Sequence, residues 1–180
     1  MTKRNTSCTR PVNRPRIYVA CLAAYNNGHL HGCWIEVGDD ADAIREEIAA
    51  MLAASPIPAA EEAAIHDYEG FESVELDEYV SIDHVVALAA FIESHGTLGA
   101  KVLANFCGDL SEAEAAFDGY AGAYESAADF AQNLTEDTTE IPSTLTPYID
   151  YESMARDMEL NGDVFTIELR FDDVHVFWAR

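Results

Sequence analysis

Asp157, Glu159, Asn161, Gly162 and Glu168 stand at positions 1, 3, 5, 6 and 12 of the stretch DMELNGDVFTIE. An EF-hand loop wants oxygen ligands at 1, 3 and 5, a glycine at 6 and a glutamate at 12, so calcium ligation is the first chemistry this spacing suggests. Glutamate at position 3 is off pattern, however, and the residues that follow alternate as a strand where the motif needs an exiting helix. Asn161-Gly162 reads more simply as the end of the preceding helix. His29 and His31 are two apart, so on a strand they would share a face and could both reach a metal. No third ligand accompanies them at metal spacing, and His66, His84, His95 and His175 are scattered. Nucleophile elbow, glycine-rich phosphate loop and HExxH motif are all missing. The residues alone leave cysteine-histidine or serine-histidine catalysis open, and no metal and no cofactor are expected.

The elements that would position side chains are mixed. RIYVACLAA and HLHGCWIEV are strand-like runs on either side of YNNG, where Asn27-Gly28 could supply the positive φ angles of a tight hairpin turn. GDDADAIREEIAAMLAAS predicts a helix with Asp39 or Asp40 as N-cap, Ile44, Ile48, Met51 and Leu52 at helical spacing, and Pro56 and Pro58 beyond its end. Ala64 to Tyr68 reads as a third strand. SIDHVVALAAFIESHG and TLGAKVLANFCG then predict consecutive helices ended by glycines, with Ser81 and Thr97 as caps, and SEAEAAFDG a short third one in which Ser111 and Glu114 make a capping-box pattern. YAGAY predicts a strand, ESAADFAQNL a helix, TEDTTEIPSTLTP a polar loop and DYESMARDMELNG a helix. The chain closes on VFTIELRF and VHVFW as strands, with Phe165, Ile167, Leu169 and Phe171 alternating against Thr166, Glu168 and Arg170. This is an α+β chain with its helices and strands locally segregated.

Charge is the dominant feature. The 180 residues carry a formal net charge of −23, yet Lys3, Arg4, Arg10, Arg14 and Arg16 all precede residue 17, where no acid occurs. From residue 17 onward 33 acidic residues face five basic ones. Between Arg45 and Lys101 there are twelve acids and no Lys or Arg, and HDYEGFESVELDEY puts Asp67, Glu69, Glu72, Glu75, Asp77 and Glu78 into twelve positions. Tyr68, Phe71, Tyr79, Tyr120, Tyr124, Tyr148 and Tyr151 are interleaved with acids, which predicts aromatic rings packed inward and carboxylates projecting outward. Such a surface repels nucleic acid and attracts basic partners. The 49% hydrophobic content supports a folded core. With no CxxC pair and no run of 18 apolar residues, Cys8, Cys21, Cys33 and Cys107 are expected as free thiols in a cytoplasmic protein without a membrane partner. The basic opening residues are expected to be a disordered tail.

Three explanations compete for the charge. Duplex DNA has one phosphate per ~1.7 Å of axis, so the excess acids match about 14 base pairs in number. Spread evenly over a compact chain they would have about 300 Å² each, against about 100 Å² per phosphate, so a mimic must be elongated or gather its acids on one face. General acidity of the halophilic kind is the second explanation, although such a bias would not obviously spare the first sixteen residues. A cation-binding, calcium-type module is the third, and its only ordered ligand spacing is the defective loop above.

The residues also carry a resemblance. PRIYVACLAAYNNGHLHGCWIE, AIHDYEGF, YAGAYESAADFA and YIDYESMARDMELNGDVF follow one another in the order of blocks in the ArdA antirestriction proteins, and four ordered blocks are far more specific than one. The resemblance implies a protein that is not an enzyme but a DNA mimic of mobile genetic elements, one that occupies the DNA-binding groove of type I restriction-modification enzymes without binding nucleic acid itself. It implies an elongated, curved homodimer with three small domains in a row. Pattern changes near residues 78 and 117 agree with that number: a basic tail over 1–15, an N-terminal α+β domain over 16–78, a helical domain over 79–117 and a C-terminal α+β domain over 118–180. The last is expected to make the dimer contact. The expected enzyme-facing acids are Asp67, Glu69, Glu72, Glu75, Asp77, Glu78, Asp109, Glu112, Glu114, Asp118, Glu125 and Asp129. The family's antirestriction motif should include Tyr120, Gly122, Tyr124, Glu125, Asp129 and Phe130.

Overall fold

Ile17 and Val19 alternate with Arg16 and Tyr18, the period of a strand with one face buried, and Arg16–Cys21 forms β1. A computed structural model describes residues 14–72 and 74–179. The expected tail thus lies outside the described residues except for Arg14 and Pro15, and Pro15 is buried, its carbonyl accepting the Val37 amide at 2.8 Å. β2, Gly32–Glu36, runs antiparallel to β1 with Ile17 opposite Ile35. β3, Ala63–Glu69, pairs with the other edge of β1, giving the order β2-β1-β3.

The connection from β1 to β2 corrects the expected tight hairpin. Leu22–Asn26 forms a short helix, α1, whose Ala24 amide donates to Cys21 Sγ at 3.5 Å, and the second strand starts at Gly32 rather than His29. Only Gly28 has a positive φ, 77°, while Asn27 closes the helix at −98°. A two-residue type I′ turn needs positive φ at both central positions, and Leu-Ala-Ala favours helix. His29 and His31 therefore lie in a loop rather than on a strand face, and His31 Nε2 donates to the Met51 carbonyl at 2.7 Å. Across the sheet lies α2, Ala41–Ala53, started by Asp40, whose Oδ1 accepts the Asp42 and Ala43 amides, and ended at Ala54 just before Pro56. Ile17, Val19, Ile35, Ile44, Ile65 and Phe71 are all buried.

The chain divides into two compact units, one ending at Gly96 and the other starting at Thr97. The division falls inside the run α3, Ile82–Asn105, where Gly96 adopts φ 59° and ψ −149° and so separates two helical arms as the sequence predicts. Ser81 Oγ accepts the His84 amide at 3.3 Å and starts the first arm. α3 is long and apolar enough to cross a membrane by composition. Its side chains Val85, Leu88, Phe91, Ile92, Val102 and Leu103 are nevertheless buried within the protein, as in a core helix.

In the second unit the later arm of α3 is followed by α4, Leu110–Asp118, and here the capping register is corrected. Asp109, not Ser111, is the N-cap, its Oδ1 accepting the Glu112 amide at 3.1 Å, so the box pattern sits two residues earlier than expected. β4, Tyr120–Tyr124, β5, Val164–Arg170, and β6, Asp173–Trp178, form an antiparallel sheet in the order β4-β6-β5. Two helices, α5 over Ala127–Thr138 and α6 over Tyr151–Asn161, pack together and against this sheet. α5 takes four residues, Thr135 to Thr138, from the expected polar loop, and a single 3₁₀ turn, Thr146–Tyr148, takes two more, Thr146 and Pro147. Val164 and Val176 meet Phe130 on one face of the sheet. On the other face Phe165 stacks on Phe177 at 4.9 Å, and Phe117 meets the Phe177 ring edge-on at 5.6 Å. The expected alternation of β5 breaks at a register shift between Glu168 and Arg170, which leaves Phe171 in the turn and 92% exposed instead of inward.

Removing the ring of Phe177, which is wholly buried, should destabilise the protein by about 3–5 kcal/mol, since a cavity then remains among Phe117, Tyr120 and Phe165. Phe171→Ala should stay within about 0.5 kcal/mol of the parent. Urea unfolding of the two variants measures both.

Candidate functional site

Every aspartate and glutamate in the chain lies within the described residues, and none is buried: 31 are exposed, and Asp129 and Asp173 are half-buried. Cations cannot cover them. Among the described residues Arg16 pairs with Glu69 (2.7 Å), Arg45 holds both Asp42 and Asp83, and the only Lys, Lys101, donates to a backbone carbonyl, that of Glu168. These ion pairs are exposed, where each is worth about 0–1 kcal/mol.

Backbone amides do part of the work that cations do elsewhere. Asp40, Asp109 and Asp150 start α2, α4 and α6 by accepting first-turn amides, and Asp42, Glu112, Asp129 and Glu152 follow in first turns. Acids there meet the positive end of the helix dipole. The Ser153 amide, followed by the Ser153 hydroxyl, holds the Asp150 carboxyl below its ordinary range. A depressed native value means that this cap is at full strength above the ordinary carboxylate range and is lost as pH falls through the lowered value.

The acidic stretch 66–79 is pinned from two sides. Asp67 and Glu69 lie on β3, and Glu69 is clasped by Arg16. Beyond the buried Phe71 and Val74, the chain returns so that the Glu78 carbonyl accepts the Ile65 amide at 3.0 Å, while Asp77 Oδ1 accepts the Tyr79 amide at 3.1 Å. Glu72, Glu75, Asp77 and Glu78 are thereby held outward. Tyr68 packs edge-on to Phe71 at 6.0 Å, as expected, but Tyr79 and Tyr148 are 70% and 84% exposed and correct the inward reading of those rings.

In the second unit Asp109, Glu112, Glu114 and Asp118 project from the start and length of α4, and Glu125 stands before α5. The expected motif residues divide into two groups. Phe130 is a core side chain, with Tyr124 edge-on to it at 5.2 Å and the Tyr124 hydroxyl donating to the Ala121 carbonyl. Gly122, at φ 129° in a β-bulge, takes a backbone angle that favours glycine and lets β4 follow β6. Asp129 is half-buried in the first turn of α5, its amide received by Ser126 Oγ at 3.0 Å. Tyr120 is at the surface, its hydroxyl 2.7 Å from His175 Nδ1, and His175 Nε2 lies 3.2 Å from Asp173 Oδ1. Burial, with the Asp173 charge adding to it, raises the Tyr120 phenol above its ordinary value. Ser126, Asp173 and His175 escaped sequence reasoning; Ser126 alone carried a signal, as the residue before a helical run.

The calcium reading is overturned by placement. Asp157 and Glu159 lie on α6, Gly162 closes that helix in the left-handed conformation at φ 75°, and Glu168 lies on β5. Glu159 is already engaged, accepting from Thr166 Oγ1 at 2.6 Å. The residues with loop-like spacing thus belong to a helix, its cap and a strand.

Two small α+β units with none of their carboxylates buried define a strongly acidic α+β protein. The sequence matches the profile of the antirestriction protein (ArdA) family over residues 17–172, and the chain belongs to that family. The family is one of inhibitor proteins rather than enzymes. Comparison with individual curated proteins returns no match.

Because most of these acids have no cation to meet within the chain, screening should stabilise the fold. The melting temperature is expected to rise between about 10 mM and 1 M sodium chloride, over which the Debye length falls from about 30 to 3 Å. Calorimetry across that range reads the effect.

Proposed function

We propose that the protein is a DNA mimic that occupies the basic DNA-binding groove of a type I restriction-modification enzyme and so blocks it. The observation that carries this reading is the surface just described: 33 carboxylates, none buried, with few cations of the chain's own to occupy them. Family membership supports an antirestriction role. Groove lysines and arginines would exchange phosphate for carboxylate, and the summed field would speed the encounter. A shape already bent would spare the enzyme the cost of deforming a duplex. No base edge is offered, so inhibition would not depend on the enzyme's recognition sequence.

The reading extends to the assembly. Three small domains, divided near residues 78 and 117, would give the acids the density that an even spread lacks, and a homodimer joined through 118–180 would cover a longer stretch than the ~14 base pairs one chain matches in charge. The protein would act in the cytoplasm of a host carrying a mobile genetic element.

Competition decides the central claim. The chain should displace a DNA duplex from a type I methyltransferase core, with affinity falling steeply as salt rises. Binding that leaves DNA in place, or that is unchanged by salt, contradicts it. Glu72→Gln alone should weaken inhibition only slightly, at ~0.2–1 kcal/mol per exposed pair, whereas losses should accumulate when Asp67, Glu69, Glu72, Glu75, Asp77 and Glu78 are all made amides. Abolition by any single change would mark a hot-spot binder instead. Light scattering at micromolar concentration should give twice the chain mass, and a monomer would remove the assembly claim.

A further inference from the structure

An open recess of about 430 Å³ in the first unit is lined by Leu22, Tyr25, Asn26, His66, Glu78 and Tyr79. Three separate segments build it. Tyr25 is on α1, His66 is on β3, and Glu78 and Tyr79 come from the returning chain. His66 is the extra residue of a β-bulge, because Tyr18 pairs with Asp67 and Val19 with Ile65, and a bulge re-aims the side chain it adds. Its imidazole meets the Tyr25 ring edge-on at 4.9 Å. The amide bond from Ile65 to the Glu78 carbonyl ties the return segment to the strand next to His66. Tyr25 and Tyr79 nonetheless leave 55% and 70% of their surface in solvent.

We propose that this recess receives the guanidinium of an arginine side chain from a basic polypeptide partner. Exposed tyrosine faces attract cations through the ring quadrupole, arginine more often than lysine because its planar head also stacks, and Glu78 supplies a carboxylate at the same opening. Among the described residues no ion pair reaches Glu78. No Lys or Arg lies between Arg45 and Lys101, and Arg16 and Arg45 are engaged by Glu69 and by Asp42 and Asp83. A nucleotide base could also stack on tyrosine, but its phosphate would meet a protein of net charge −23. The inference deepens the inhibitor reading, on which the basic nature of the partner rests. It adds a shaped contact to a surface otherwise described by charge alone.

The test is an NMR titration of the full chain with N-acetyl-arginine amide. The expected result is a saturable shift centred on Tyr25, His66 and Tyr79. The citrulline analogue, which keeps the shape without the charge, should give no such shift, and the lysine analogue a weaker one. Tyr25→Leu and Tyr79→Leu should each weaken arginine binding roughly two- to fivefold, while Tyr148→Leu, on an exposed ring of the second unit, should leave it unchanged. Shifts spread without saturation over the acidic surface, equal binding of citrulline, or tighter binding of adenosine monophosphate would overturn the inference. No restriction enzyme is in the tube, so the outcome is separable from the competition assay. An absent arginine site beside intact competition overturns this inference alone, and a saturable site beside failed competition supports it while removing the proposed target.

Discussion

Like-charge repulsion among surface carboxylates is the constraint around which the rest of this protein is arranged. With 33 acidic residues against ten basic, pairing cannot neutralise the surface, and no charged side chain is buried among the described residues. Cohesion must come from apolar contacts inside each unit, although small units bury a smaller fraction of their surface than large ones. The second unit meets this demand with aromatic rings on both faces of its sheet, Phe130 on one and Phe117, Phe165 and Phe177 on the other. Such rings bury much area per residue.

The same constraint shapes how helices begin and end. Aspartates start α2, α4 and α6, and no basic residue occupies the last turn of a described helix. Peptide dipoles thus stabilise acids that would otherwise call for lysine or arginine. Asp40 and Asp109 each give Oδ1 to first-turn amides, and Asp150 accepts with both oxygens, Oδ1 from the Ser153 amide and Oδ2 from the Ser153 hydroxyl.

Much of the fold was legible in the chain because the signals are local. Asp150 and Gly162 bound α6 by capping chemistry, Gly96 divides a helical run, and the alternation in VFTIE sets the faces of β5. Errors arose where two local rules competed. Asn27-Gly28 looked like a hairpin turn, but Leu-Ala-Ala ahead of it closed a helix, and Ser111 lost its capping role to Asp109 two residues earlier. The exposure of the acids was visible from residue type alone, since an ionised carboxylate is costly to bury.

Composition, charge, caps, helical and strand periods and the four ordered blocks of the antirestriction family belong to the sequence itself, because each depends on neighbours within a few turns or on simple counting. Strand order, the exposure of Tyr79 and Tyr148, the Tyr120–His175–Asp173 chain and the recess beside His66 emerged only on folding. Register between strands and the burial of a ring are settled by groups tens of residues apart, as when Ile65 bonds Glu78 or Tyr25 meets His66. No short pattern carries that information, because the energy that decides it is shared between segments that are neighbours only in space.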